Sequence, residues 1–258
     1  MRIKVELTSE RRVTMPVGFN SIIQAVIYSF FNEESGKWLH EKGFKYEKRS
    51  FKLFTFSSFL EKGFYDKEKK TFKFPNNISF LFSSPVDWII EEFAVNFIKQ
   101  SYLTFNGQKA FISSVNVLKN PDIDKGSITI NAISPIETHS TFKKEDGKNF
   151  THYYTPYEAG FSDLINKNLQ KKWMSFFKDE CPHNLSIKPL FSGNRNEKIR
   201  YFGTEKNSRT LIKGWKGRYI LEGDPEFLRF GYDTGLGSRN SQGYGIFEVM
   251  KQEKRRKS

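Results

Sequence analysis

The chain of 258 residues contains a single cysteine, Cys181. No intrachain disulfide can form, and a cysteine-based zinc site lacks its ligands. Histidine is scarce too, at four residues, and no H-E-x-x-H is present. Long apolar runs are missing: the longest, "SIIQAVIYSFF", is too short to span a bilayer and carries Gln24. The opening "MRIKVELTSE" has no apolar segment of the kind that directs secretion. A soluble, cytoplasmic protein without a membrane partner is expected. Acidic residues are the minority, 29 against 42 Lys and Arg, for a net charge of +13. Such an excess points to a polyanionic partner, with nucleic acid ahead of an anionic membrane surface. It is also compatible with a purely solubilising role.

What the chain has in quantity is aromatic residues, 16% of the total, with 27 phenylalanines. A real core is within reach, and the length suits two ordinary domains. "RIKVELT" alternates Ile3, Val5 and Leu7 with Arg2, Lys4 and Glu6, which predicts a half-buried strand. A helix is predicted from about Asn20 to Glu34, with Ile22, Ile23, Val26, Ile27 and Phe30 on one face. Strands follow in "FKLFTFSSFL" and "KFPNNISFLFSSP", then a helix after Pro85 and a strand in "AFISSVNVLKN". That order is β-α-β-β-α-β, the ferredoxin-like arrangement. The second half repeats the order: "GSITINAISPI", a helix from about Pro156 to Phe177, "NLSIKPLF", "RYILEG", "DPEFLRFGYD" and "YGIFEVM". The fold class predicted is α+β, two tandem ferredoxin-like domains, residues 1–120 and 121–258. The Pro- and Gly-containing "KNPDIDKG" lies at their boundary.

Near the C-terminus, "DTGLGSRNSQGYGIFEV" spaces Gly235, Gly237, Gly243 and Gly245 as G-x-G-x5-G-x-G. A dinucleotide fingerprint would need a third glycine where Asn240 stands, and a long helix where "IFEVM" reads as a strand. G-K-[ST] is absent as well, so no nucleotide cofactor is expected. Two readings remain level on this segment alone. The glycines allow a tight connection packed on a neighbour. Alternatively, the loop amides, with Arg239, Asn240, Ser241 and Gln242, hold phosphate oxygens. Acidic pairs that could hold a metal are poorly placed, since Glu33/Glu34 and Glu91/Glu92 are adjacent on predicted helices and face apart. G-x-S-x-G, the nucleophile elbow of a serine hydrolase, is missing.

The segment "GYDTGLGSRNSQGYGIFEV" resembles the C-terminal signature of the CRISPR repeat-processing endoribonucleases, part of the wider group of repeat-associated RNA-binding proteins. "AISPIETH", "YYTPYEAGFSDLINKNLQKKW" and "YILEGDPEFLRFGYDTGLG" extend the resemblance, and "VIYSFF" with "WLHEKG…FKLFTFSSF" resembles the family's catalytic segment. The resemblance implies tandem ferredoxin-like domains and CRISPR repeat RNA as partner. It also implies metal-free cleavage, in which the 2′-hydroxyl attacks the neighbouring phosphate to leave a 2′,3′-cyclic phosphate and a 5′-hydroxyl. It allows a homodimer and hand-over of product to a CRISPR effector complex, for which no stretch of this chain argues.

Taken blind, any of His40, His139, His152 and His183 is more often a surface residue than a catalyst. His40 differs in being followed by Lys42, Lys45, Lys48, Arg49 and Lys52, and the resemblance puts the catalytic histidine there. Tyr28 projects from the polar side of its predicted helix with Ser21, Gln24 and Asn32, and matches the family's tyrosine. Lys52 is the third candidate, as electrostatic stabiliser of the phosphate, with Lys45 and Lys48 as rivals. Which of His40 and Tyr28 takes the first proton stays open. For RNA binding, the glycine loop is joined by residues 194–218, where eight Lys and Arg meet only Glu197 and Glu205. Arg195, Arg209, Lys213, Lys216 and Arg218 are the candidates, interleaved with Tyr201, Phe202 and Trp215 for base stacking. A basic hairpin with its aromatics in the core is the alternative, preferred for Phe202. The tail "KQEKRRKS" adds nonspecific charge. A non-catalytic repeat-RNA-binding subunit shares every one of these features except the joint presence of Tyr28, His40 and Lys52.

Overall fold

In the computed structural model, residues 1–202 and 210–250 are described. Strand 2–8 is central in the first sheet, antiparallel to 77–83 on one side and to 108–117 on the other. Strands 55–56 and 102–105 complete the edges, in the order 55–56, 77–83, 2–8, 108–117, 102–105. Alternation buries Ile3, Val5 and Leu7 under helices α1 (Asn20–Tyr28) and α3 (Asp87–Ile98). Phenylalanines fill the layer between: Phe82 stacks on Phe93 at 4.2 Å, and Phe30 lies 4.8 Å from Phe97. The second sheet has the order 185–189, 218–223, 127–132, 247–249. It is covered by α4 (Ala159–Phe177) and α5 (Pro225–Thr234). The second sheet thus has the ferredoxin-like strand order 2-3-1-4, and the first has the same order with strand 102–105 added at its edge.

The short helix α2 (Glu33–Lys37) marks the first departure from expectation. The predicted helix to Glu34 ends at Tyr28, because Asn32 starts a new helix by accepting the Ser35 amide at 2.9 Å. "FKLFTFSSFL" is not one strand either. Leu53 takes a positive φ of 52°, which breaks it into strands 49–51 and 55–56. Further elements were not anticipated: a three-stranded sheet of 14–16, 71–73 and 64–66, the edge strand 102–105, and hairpins 44–46/49–51 and 139–143/149–153. Strands 197–202 and 210–215 pair as the basic hairpin given as the alternative for residues 194–218.

Arg2, expected on the open face of its strand, is only 1% exposed. The second half covers that face, and the guanidinium donates to the Phe247 and Tyr232 carbonyls at 2.6 and 2.5 Å. Its carbon lies 3.5 Å from the centre of the Tyr232 ring. Burial lowers its pKa to about 10. Among the described residues, no helix is long and apolar enough to cross a membrane.

Candidate active site

Helix α2 runs directly into a π-helical turn, Trp38–Lys42. Buried Leu39 anchors it, and Trp38 packs edge-on to Phe44 and Trp88. The turn closes at Gly43, whose amide reaches the Trp38 carbonyl at 2.8 Å and whose φ is +58°. A Cβ there would meet the Phe51 carbonyl oxygen at 2.5 Å, so the following hairpin, 44–46 with 49–51, can fold back only over a glycine.

This fold-back brings the three candidates together. The exposed His40 ring stands edge-on to Tyr28, centroids 5.6 Å apart. Lys52 Nζ returns across twelve residues of chain to donate to the His40 carbonyl at 2.6 Å. Tyr28 is not the freely projecting aromatic that the helical-wheel reading suggested. Its ring packs against Phe31 and Phe54 as well as His40, and burial pushes its phenol up to about 12. The hydroxyl therefore stays protonated at neutral pH. Burial also lowers the pKa of Lys52. The rivals Lys45 and Lys48 are exposed on the hairpin.

All four loop glycines are buried, and the loop wedges between the two halves. Asn20 and Gln24 on α1 donate to the carbonyls of Gln242 and Ser241 at 3.2 and 2.6 Å. Thr55 Oγ1 donates to that of Tyr244 at 3.0 Å. The polar side of α1 is therefore a docking face for this loop, with Tyr28 one turn beyond Gln24. A Cβ at Gly245 would stand 2.0 Å from the Leu236 carbonyl, and one at Gly243 2.6 Å from Asn20 Nδ2. At Gly235 the neighbour would be Asn240 Nδ2, also at 2.6 Å. Six loop amides, those of Gly235, Leu236, Ser238, Gln242, Gly243 and Gly245, already bond carbonyls of this chain. Packing thus accounts for the glycines. Gly237→Ala, whose Cβ would lie 2.2 Å from the Glu137 carbonyl at φ +70°, is expected to destabilise the protein by about 2–4 kcal/mol. Urea unfolding checks this.

Gly237, Ser238, Arg239, Asn240 and Ser241 line a cleft of about 380 Å³ together with Arg49 and Lys52. His139 and Lys172 complete its titratable lining, and none of the described residues lining it is a carboxylate. Two features here escaped sequence reasoning. Lys172, on α4, is 4% exposed and donates to Gly235 O at 2.8 Å, Gly237 O at 3.2 Å and Asn240 Oδ1 at 2.6 Å. Burial lowers its pKa to about 7. His139 Nδ1 meets Oε1 of the fully buried Glu137 at 2.5 Å. The signal for Lys172 was available, since it continues the buried stripe of Phe161, Ile165 and Asn168 at helical spacing.

The other RNA-binding candidates lie away from this cleft. Lys213 Nζ is 3.7 Å from Glu197 on hairpin 197–202/210–215. Arg195 and Arg218 are exposed. Lys216, near Arg200 and Lys198, has its pKa lowered to about 8 by burial and by those cations. It lines a second cavity with Lys4 and Arg200. Phe202 is half-buried and Trp215 buried. Arg209 and the tail "KQEKRRKS" lie outside the described residues.

Two ferredoxin-like halves clasping a glycine-rich loop over a cationic cleft define a tandem ferredoxin-like protein. The chain belongs to the Cas6 family: the family described as CRISPR associated protein Cas6, C-terminal, matches residues 118–249, just over half of the chain. A CRISPR-associated endoribonuclease Cas6 1 of Methanocaldococcus jannaschii is 26% identical over 249 residues, 95% of this chain and 91% of that protein. The CRISPR-associated endoribonuclease Cas6 of Pyrococcus furiosus is 25% identical over 256 residues, 96% and 90% of the two chains. A solved Cas6-related structure from Pyrococcus furiosus shares the fold with a TM-score of 0.81 at 19% identity, covering 98% and 99%.

Proposed function

We propose that this protein is a metal-independent endoribonuclease that cuts CRISPR repeat RNA. The observation carrying this reading is the convergence of His40, Tyr28 and Lys52 beside a cleft whose described lining includes Arg49, Lys52, Lys172 and Arg239 and no carboxylate. Residues 1–120 would supply the three reacting groups and residues 121–258 the glycine loop. In the reaction the 2′-oxygen bonds to the scissile phosphorus as it loses its proton, and the bond from phosphorus to the 5′-oxygen breaks as that oxygen gains one. His40 carries protons in these steps, the role for which an imidazole is suited. A protonated Tyr28 donates a hydrogen bond that fixes the 2′-oxygen or His40. Lys52 spends one N–H on the His40 carbonyl and has two more for the phosphate oxygens, whose charge grows in the transition state. Arg239 and Ser241, with the second cationic surface of Arg195, Lys213, Lys216 and Arg218, hold the RNA backbone.

Cleavage of a labelled repeat RNA from the same genome, in EDTA, tests this. One cut site with a cyclic-phosphate end is expected. Cutting that needs a divalent metal would overturn the mechanism, and tight binding without cutting would point to the non-catalytic subunit. Tyr28→Phe keeps the ring packing and removes one hydrogen bond to a charged centre. Its single-turnover rate should fall about 10- to 100-fold, with the melting temperature unchanged.

A further inference from the structure

Glu137 is the most deeply buried carboxylate around the cleft, at 0% exposure. Its backbone supports the glycine loop, because its carbonyl accepts the Ser238 amide at 2.8 Å. Its side chain does something else. Oε1 takes the Nδ1 of His139 at 2.5 Å, and Oε2 lies 3.8 Å from Nε of Arg239. Among the described residues, neither Oε2 nor that Nε has a hydrogen-bond partner within 3.5 Å. A buried carboxylate is costly unless it is partnered, and this one holds the His139 ring and the Arg239 guanidinium in the wall of the cleft. His139 is further held by its cross-strand neighbour Tyr153, ring centroids 5.7 Å apart. With Nδ1 committed to Glu137, Nε2 is the ring nitrogen left for a ligand. The titratable groups around the pair are Arg239, Tyr153 and Tyr244, and Arg49, Lys52 and Lys172 line the same cleft. The charge surplus there is positive.

We propose that His139 and Arg239, buttressed by the buried Glu137, form a subsite for a second RNA phosphodiester, separate from the scissile one beside His40. This rests on the reading that the cleft receives RNA. The site is a clamp and not a proton-transfer centre. In the clamp the ring bridges two anions, with Nδ1 on Glu137 and Nε2 on the phosphate. Arg239 adds a planar guanidinium suited to phosphate oxygens. Lys52 lines the same cleft and touches His40, so the clamp and the reacting centre lie along one cationic path.

The test uses the full chain and a repeat RNA made non-cleavable by a 2′-deoxy nucleotide at the scissile position, with affinity measured across a salt series. His139→Ala should weaken binding about tenfold at 0.1 M salt. It should also make the plot of log affinity against log salt shallower by about 0.7, one phosphate contact on a single strand. His139→Lys should restore the slope, because it returns a cation without the imidazole. An unchanged slope in a His139→Ala protein that melts like wild type would overturn the clamp. So would a loss in His139→Ala that His139→Lys does not recover, since that marks a packing role. Failure of the wild type to bind repeat RNA would instead remove the proposed function itself.

Discussion

His40→Ala should lower the single-turnover rate of repeat-RNA cleavage by about two to four orders of magnitude, the usual worth of a positioned proton-transfer group. The structure makes this a clean substitution. The His40 side chain is exposed, and its ring meets that of Tyr28 edge-on. The turn that carries it is held by Leu39, by Trp38 and by the Gly43 amide. Lys52 donates to the His40 backbone carbonyl, which alanine retains. Alanine is also the best helix former, so the turn loses nothing from propensity. The rate should therefore fall while melting temperature and RNA affinity stay close to wild type. Equal cutting by both proteins would remove His40 from the reaction and send the search to another base.

Much of this arrangement could be read from local pattern. Alternation in strands 2–8 and 127–132 and the apolar faces of α1 and α3 put the ferredoxin-like order within reach, because each needs only its own residues to be recognised. The short helix in "DPEFLRFGYD" was equally within reach, and in the structure Asp224 caps it by accepting the Glu226 amide, with Pro225 in the first turn. Features set by distant chain were not legible. Arg2 alternates with Ile3 as a solvent-facing residue should, and is buried because residues 232 and 247 come to cover it. The glycines read equally well as ligand cradle or close packing. What decides is Thr55 meeting Tyr244 and Asn20 meeting Gln242, contacts across about two hundred residues of chain. The meeting of Lys52 with His40 lies between these extremes. It depends on a twelve-residue excursion whose π-helical turn and hairpin have no simple periodic signature. Roles for the three residues followed from the family resemblance, and their proximity from the structure.

Lys172→Met should destabilise the protein by about 2–4 kcal/mol, a fall in melting temperature of about 5–15 °C for a chain of this size. Methionine has nearly the same shape, so little cavity opens and the loss is polar. The Gly235 and Gly237 carbonyls and Asn240 Oδ1 lose the donor that joins them, and each stranded buried acceptor costs about 1–3 kcal/mol. Relief of the ammonium's own burial offsets part of that sum, hence the lower total. The same burial gives a second, independent signature. The folded state holds Lys172 at a pKa of about 7 against 10.5 for the free side chain. Between those values the unfolded chain binds more protons, so this residue makes stability rise as pH increases through that window. Below about pH 7 both states are protonated and the contribution no longer changes. Lys216, lowered to about 8, adds a rise of the same sign, which both proteins retain. Wild type should therefore gain more stability than Lys172→Met between pH 7 and 9 in parallel urea titrations. Parallel curves with equal midpoints would mean that the loop stands without its lysine. A smaller gain together with weakened RNA binding would tie the loop's anchorage to the cleft, because Gly237–Ser241, which the lysine holds from beneath, form one wall of it.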